Sequence, residues 1–412
     1  MNTVLTLDEA LAKLAEGAQP HRIRQIDSVP TAQALGRVLA AEVMSALDVP
    51  PEDNSSMDGY ALNTRDVPAA GTVLPVAQRI PAGHPGQPLQ PGTAARIFTG
   101  AQVPQGADTI VMQEFCEAVP GEGLGSVRVN TVPERHAWIR NRGEDVSNGQ
   151  IVLHAGTRLS PQALGLAASV GAATLAVVHR PKVAIFSTGD ELVMPGEPLP
   201  PGAIYNSNRF TLRGLAEAGG CEVGDLGIIP DRLDATRDAL RRAAATHDLI
   251  ITSGGVSVGE EDHLKPAIRA EGTLEQWQMA IKPGRPLAFG TVRRSDGSSA
   301  LILGLPGNPV SSFLTYLLCV STVLRAMQGM DWRLPKAVPM RADFDWPKAD
   351  KRREFMRVRI NEHGALDLYP NQSSGVLTSA VWADGFVDNP PGQVIARGDV
   401  VRFLPLAELV SR

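Results

Sequence analysis

A chain of 412 residues exceeds one ordinary core, and at roughly 100 to 200 residues per unit it should divide into two to four domains. Its hydrophobic share of 43%, with 20% charged residues, excludes an intrinsically disordered polypeptide. A formal net charge of -5 argues against nucleic acid or an acidic membrane surface as partner, so an anionic ligand would need a local basic pocket.

At the N-terminus, Met1 to Glu9 carries Asp8 and Glu9 and lacks the basic and apolar regions of a secretory signal. Thr6-Leu7-Asp8-Glu9 reads as a capping box, and Leu7, Leu11 and Leu14 share one helical face before Gly17, which predicts a first helix. The apolar run Thr31 to Val43 predicts a second, stopped by Pro50-Pro51. Short β-like runs follow at 73–80, 94–98, 109–113 and 126–132, separated by Pro and Gly. Ser160-Pro161 then opens a helix ending at Gly171, with serine as N-cap and proline at the first position. This helix is expected to pair with the N-terminal helices, which makes the β-rich segment an insertion.

From Pro181 to about Met330 strands and helices alternate as a parallel α/β sheet requires: strands at 183–186, 223–229, 249–251 and 301–303, helices at 208–218, 234–246 and 309–327. Beyond Trp332 the chain is again proline-rich with short alternating runs, such as 355–360 and 400–404, which predicts a β-barrel of about 80 residues. The expected division is 1–48 plus 146–178 as a helical linker domain, 49–145 as the inserted β-rich domain, 179–330 as the α/β domain and 331–412 as the barrel. Val310 to Val323, the longest apolar stretch, is broken by serines and threonines and falls short of the roughly 20 residues of a membrane span. A soluble, cytoplasmic protein is expected. Three cysteines without C-x-x-C spacing and eight scattered histidines point to reduced thiols and against a soft-ligand metal centre.

Loops after parallel strands gather at one sheet edge, where ligands of open α/β sheets bind. Ser253-Gly254-Gly255-Val256-Ser257 follows such a strand, offering backbone N–H groups to an anion, and Glu260, Glu261 and Asp262 follow as metal carboxylates. A plain glycine turn with a solvated acidic helix start reads equally well. Ser187 to Leu192, which carries Glu191, and Asp231 end two more strands; each acid alone also fits a charge at a helix N-terminus. Lys282-Pro283-Gly284-Arg285 sets two cations in a stiff turn able to clamp an oxyanion, or is a solvated basic loop. Leu305 to Ser312, with Pro306 and Pro309, lies between strand and helix and closes over a ligand or is simple turn chemistry. The polar insets 53–61, 97–101 and 142–145 read as loops, and physics alone assigns them to no site.

Taken together, NSSMDGYAL, RIFTGAQVPQGADTIVMQE, RGEDV, STGDEL, NSN, ITSGGVSVGEEDHL, AIKPGRPLAFG, LPGNPVSS and REFMR resemble the molybdopterin molybdenumtransferase family, the bacterial relatives of the gephyrin E-domain, in order and over nearly the whole chain. The resemblance implies a multidomain α/β and β fold with a three-layer α/β molybdopterin-binding domain. It also implies an elongated homodimer whose cleft lies between the α/β domain of one subunit and the β-rich domain of the other. The functional positions it carries over are Asp58, Thr99, Asp145, Glu191, Asp231, Asp262, Pro306 and Pro309. Ser253, Gly254, Gly255 and Ser257 would hold the pterin nucleotide, and Lys282, Arg285, Arg353, Ser373 and Ser374 the oxyanion. Magnesium is the implied cofactor, near Asp262 with Glu191 and Asp231 in support. Adenylylated molybdopterin and molybdate are the implied substrates, and the pterin adenylyltransferase and cofactor-receiving enzymes the implied partners. Two departures stand out: Gln278 where relatives often carry lysine, and KPGRP for KPGKP, which replaces a point cation by a planar fork. The rival readings are a pterin adenylyltransferase, a gephyrin-like scaffold and a tungstate-inserting paralogue.

Overall fold

The computed structural model describes residues 3–255 and 263–411. Its centre is a seven-stranded sheet built from β1 (Thr3–Leu5), β2 (Lys182–Thr188), β3 (Glu222–Ile229), β4 (Leu249–Ser253), β5 (Gly272–Met279), β6 (Pro286–Arg293) and β7 (Ser299–Leu305), in the order β1-β5-β6-β7-β4-β2-β3. β7, β4, β2 and β3 run parallel. Alternate residues of these strands point to opposite faces, and both faces are covered. Val183, Ile185, Leu249, Ile251, Leu301 and Leu303 pack with α1 (Leu7–Ala18), α2 (Ser207–Ala218) and α5 (Pro309–Gln328). Ala184, Phe186, Ile250 and Ile302 pack with α3 (Leu233–Thr246) and α4 (Leu264–Glu271).

The capping box forms as its sequence dictates: Glu9 N–H donates to Thr6 Oγ1 at 3.3 Å, and Thr6 N–H donates to Glu9 Oε2 at 2.8 Å. Contrary to the expectation from the sequence, the helix it opens does not pair with the Pro161–Ser169 helix. Its face of Leu7, Leu11 and Leu14 is buried on the central sheet, and β1 adds to that sheet parallel to β5. Residues 3–18 therefore pack with the α/β unit and not with 146–178. β5 and β6 also depart from the parallel pattern. They form an antiparallel hairpin, with β6 antiparallel to β7, around the turn that carries Lys282 and Arg285.

The expected helix over 31–43 is absent. One 3-10 turn (Thr31–Gln33) precedes Gly36, whose φ of +72° a helix cannot accommodate, and the chain then runs extended, with Leu39 bridged to Val177. The unit around it is mostly paired strand: Ile26–Pro30 with Thr174–Val178, Val43–Met44 with Ile151–Leu153, plus the single helix Pro161–Ser169. The β-rich segment forms a six-stranded sheet whose entry and exit meet at Val49 and Val146.

Beyond α5 the strands Val338–Arg341, Arg353–Ile360, Leu366–Leu368, Gly385–Asn389 and Val400–Pro405 form a second six-stranded sheet, whose remaining strand is Ile281–Lys282 of the α/β unit. That short strand pairs in parallel with Arg353 and Glu354, which ties the C-terminal unit to the basic turn. α5, with a π-helical turn at Tyr316–Val320, is long and apolar enough to cross a membrane. It is instead a core helix, with 94% of its most apolar window buried. Cys221 and Cys319 are buried and Cys116 half-buried, and all three are free. Burial pushes the Cys221 and Cys319 thiols up to about 12, which keeps them unreactive.

Candidate functional site

The parallel strands β2, β4 and β7 are neighbours, so the turns that follow them converge at one sheet edge. Ser187 and Ser253 share a hydroxyl hydrogen bond of 3.0 Å, and Gly254 N–H donates to Leu305 O at 3.1 Å. Gly254 has φ of +91°, and a Cβ there would sit 2.9 Å from Thr188 O, so the close approach of these turns requires glycine. Between them and the C-terminal unit opens a cleft of about 1050 Å³. Glu191, Ser253, Gly254, Gly255, Lys282, Arg285, Pro306, Pro309, Ser373 and Ser374 all line it, so most of the expected site is brought together.

One corner of the cleft is cationic. Lys282 Nζ donates to Glu354 Oε1 at 3.0 Å and lies 3.6 Å from Asp350 Oδ2. Glu354 is buried and takes a second hydrogen bond, 3.0 Å, from Trp346 Nε1, so it fixes the direction of the lysine. Arg352 grips Asp350 through both carboxylate oxygens at 3.0 and 2.8 Å and itself lines the cleft. Lys282 and Arg352 are matched by two carboxylates, Asp350 and Glu354, and Arg285, which also lines the cleft, leaves one net positive charge for an oxyanion.

The Arg352 hydrogen bonds hold Asp350 well below the usual carboxylate range. A carboxylate whose folded pKa is depressed stabilises the fold above its unfolded pKa of about 4 and loses that contribution as pH falls toward the folded value. Asp350→Asn should therefore lower the urea midpoint at pH 7, with a gap that narrows toward pH 3.5. An equal gap at both pH values would contradict the pairing.

The lining also includes a loop, Gln372 to Gly375, that is pinned from behind. Arg357 is buried and donates to Ser379 Oγ at 3.0 Å, Ser373 O at 3.0 Å and Asn371 O at 3.5 Å. Its own backbone N–H donates to Gln372 Oε1 at 2.9 Å, and Gln372 Nε2 returns a bond to Arg357 O at 3.0 Å. Burial alone pushes the guanidinium down to about 10. Val310 N–H donates to Ser374 O at 3.0 Å, which docks the same loop on the start of α5. Arg357 does not itself line the cleft but, by bonding Gln372 and Ser373, sets the position of Ser373 and Ser374.

Five expected residues lie elsewhere. Arg353 is turned away from the cleft and grips buried Asp388 at 2.5 and 2.7 Å, with Asp8 at 3.2 Å. Its neighbour Arg352 takes the place expected of it. Asp231 follows the edge strand β3 and does not join Glu191 at the cleft. Asp58 and Thr99 meet in the β-rich unit: Thr99 donates its N–H at 2.8 Å and its hydroxyl at 2.7 Å to Asp58 Oδ1, and these bonds, the N–H first, hold Asp58 below its ordinary value. Asp145 is exposed, its N–H donating to Val49 O at 2.9 Å where the chain leaves that unit. Ser257 and Asp262 lie outside the described residues. Among the described residues no group of three or more His, Cys, Asp or Glu side chains is arranged to hold a metal. Of the three acids expected to serve magnesium, Glu191 is the one seen to line the cleft.

Residues 5–171 match the MoeA N-terminal region (domain I and II), 184–326 a probable molybdopterin binding domain, and 339–406 the MoeA C-terminal region (domain IV). A molybdopterin molybdenumtransferase of Haemophilus influenzae is 38% identical over 416 residues, 99% of this chain and 100% of that protein. The chain belongs to the molybdopterin molybdenumtransferase family. A further member, molybdopterin molybdenumtransferase 2 of Mycobacterium tuberculosis, is 37% identical over 377 residues, 88% of this chain and 90% of its own. The solved molybdopterin biosynthesis moeA protein of Pyrococcus horikoshii aligns with a TM-score of 0.80 at 29% identity, covering 97% of this chain and 99% of that one.

Within this molybdopterin molybdenumtransferase family member, the sequence reading missed Arg352, Gln372, Arg357 and Glu354. Arg357 and Glu354 stood in the quoted REFMR motif, but that strand is buried without a break from Glu354 to Val358, so no alternation marked them. Arg352 precedes the strand and Gln372 sits in a loop, where no period operates.

Proposed function

We propose that the protein transfers molybdate onto adenylylated molybdopterin and releases AMP, yielding the molybdenum cofactor. The observation that carries this reading is one cleft with two chemically distinct ends. Close-packed glycine turns at the strand ends suit phosphate oxygens, and the corner of Lys282, Arg285 and Arg352, with Ser373 and Ser374, suits a compact oxyanion. Molybdate enters as substrate, and its sulfur ligands come from the pterin, in keeping with buried, unreactive protein thiols.

Magnesium commonly keeps several waters and binds through one or two carboxylates plus substrate phosphates, so Glu191 with Asp262 is a sufficient protein share. When bound it neutralises phosphate charge. The chain's own groups do the rest: the glycine turns orient the nucleotide phosphates, Lys282 and Arg352 hold the oxyanion, and the 371–375 loop limits its approach.

Asp58, Thr99 and Asp145 do not line the cleft of their own chain, which favours a homodimer in which they reach a partner's cleft. A three-layer α/β unit is supported by helices on both sheet faces. A closed C-terminal barrel is supported by the bridge from Ala342, next to the end strand Val338–Arg341, to Leu366 of the strand paired with Arg353–Ile360. The cytoplasm, with the adenylyltransferase upstream and cofactor-receiving enzymes downstream, is the setting this chemistry requires.

The test is AMP release. Purified chain given adenylylated molybdopterin, magnesium and molybdate should release AMP, and a chelator in excess of magnesium should abolish the release. No AMP above a no-protein control would refute the assignment. Mixing inactive Asp58→Ala and Asp262→Ala chains should restore part of the activity, whereas none would refute the shared cleft.

A further inference from the structure

The cleft has a polar wall that the site described above does not use. α2 starts at Ser207, and its N-cap Asn206, with Ser207 and Asn208, lines the cleft. Asn206 is only 2% exposed. Its Oδ1 accepts the N–H of Arg209 at 3.2 Å, a bond that only the oxygen of the amide can make, so the cap itself fixes which way the group is turned. The Nδ2 is buried and has no acceptor among the described residues. Native folds rarely leave such a donor unmatched without a reason.

The setting favours a negative acceptor. The first N–H groups of a helix have no intrahelical partner, and the helix dipole places partial positive charge there. α2 spans 12 residues, long enough for that effect to develop. Its start is also held in place: Asn206 N–H donates to Val193 O at 2.9 Å, and Asn208 Nδ2 donates to Gly307 O at 2.7 Å, which ties the helix to the turn after β7. The geometry points to an anion subsite at the N-terminus of α2, in which Asn206 Nδ2 donates to an oxygen of a phosphate group. A wall of partial charges and neutral amides suits phosphate within a larger ligand, while the full charges of Lys282, Arg285 and Arg352 suit the free oxyanion. On the reading proposed above, which this assignment rests on for the name of the ligand, the group is one phosphate of the diphosphate that joins the pterin to AMP.

Inorganic pyrophosphate is the probe. Asn206→Asp and Asn206→Ser both keep an N-cap acceptor for Arg209 and both remove the amide donor. Calorimetric titration of the full-length chain should show pyrophosphate binding weakened about 10-fold or more in each variant, most in Asn206→Asp, with thermal midpoints near that of the unaltered chain. Molybdate binding, measured on the same samples, should stay within about 2-fold, since the cationic corner is untouched. Pyrophosphate binding unchanged in both folded variants, or absent in the unaltered chain, would overturn the subsite. The two readings separate in the activity arm. AMP release by Asn206→Asp with an unaltered KM for the adenylylated pterin would sink the subsite and leave the transferase reading standing. Asn206-dependent pyrophosphate binding in a chain that releases no AMP would do the reverse.

Discussion

Lys282→Ala is expected to raise the molybdate concentration for half-maximal AMP release by about 10- to 100-fold, the worth of one charge-assisted hydrogen bond in a partly desolvated corner. It should also lower stability by about 2 kcal/mol, because buried Glu354 loses its cation and keeps only the Trp346 hydrogen bond. The two effects separate. Adding Glu354→Gln to a Lys282→Met chain removes both charges and should recover most of the stability while leaving molybdate use impaired, because replacing a buried pair by neutral groups is far less costly than breaking it. Urea unfolding and molybdate-dependent AMP release on the same three proteins check this. Recovery of both properties together would show that Lys282 serves the fold alone. Arg353→Ala provides the contrast: it strips Asp388 of its bidentate partner and should destabilise the C-terminal unit with a smaller change in molybdate dependence.

Arg357→Met should be the most damaging single change behind the cleft. The guanidinium donates to Ser379, Ser373 and Asn371, and charged donors are worth about 1.5 to 3 kcal/mol each before the methionine's own burial offsets part of the loss. A net loss of about 3 kcal/mol is expected, together with a large rise in the KM for molybdate as Ser373 and Ser374 lose their anchor. Arg357→Lys keeps the charge but cannot span three acceptors with a planar fork, so it should restore little. A normal KM for molybdate in folded Arg357→Met would contradict the positioning role.

The sequence made the parallel half of the sheet legible because its strands are buried on both faces and sit between periodic helices: Val183 to Phe186 and Leu249 to Ile251 are continuous apolar runs. The capping box at Thr6 and the Ser160-Pro161 start were equally plain, since each is a local event. What failed was long-range or masked by a local coincidence. The face of Leu7, Leu11 and Leu14 announced burial but not against which element, and the partner was a sheet more than 160 residues away. The apolar spacing from 31 to 43 imitates a helix, and Gly36 overrides it. The β5–β6 hairpin escaped because its turn was read for its charges.

The site divides along the same line. Turns after parallel strands had to converge, so Glu191, Ser253, Gly254 and Pro306 were recoverable from topology, and the basic turn from its charge. Arg352 and Arg353 show the limit: the strand begins at Arg353, and one step along the chain exchanges a cleft cation for one held on buried Asp388. The pairing of Asp58 with Thr99 spans 41 residues, and the family resemblance named both positions but not the bond between them.

The central claim is that the corner formed by Lys282, Arg285, Arg352, Ser373 and Ser374 receives molybdate. Crystals of the protein grown or soaked with molybdate, measured above and below the molybdenum absorption edge, test it most directly. The account predicts one dominant anomalous peak within hydrogen-bonding reach of those side chains, lost in Lys282→Ala. A dominant peak elsewhere on the molecule, with that corner empty at saturating molybdate, would contradict it.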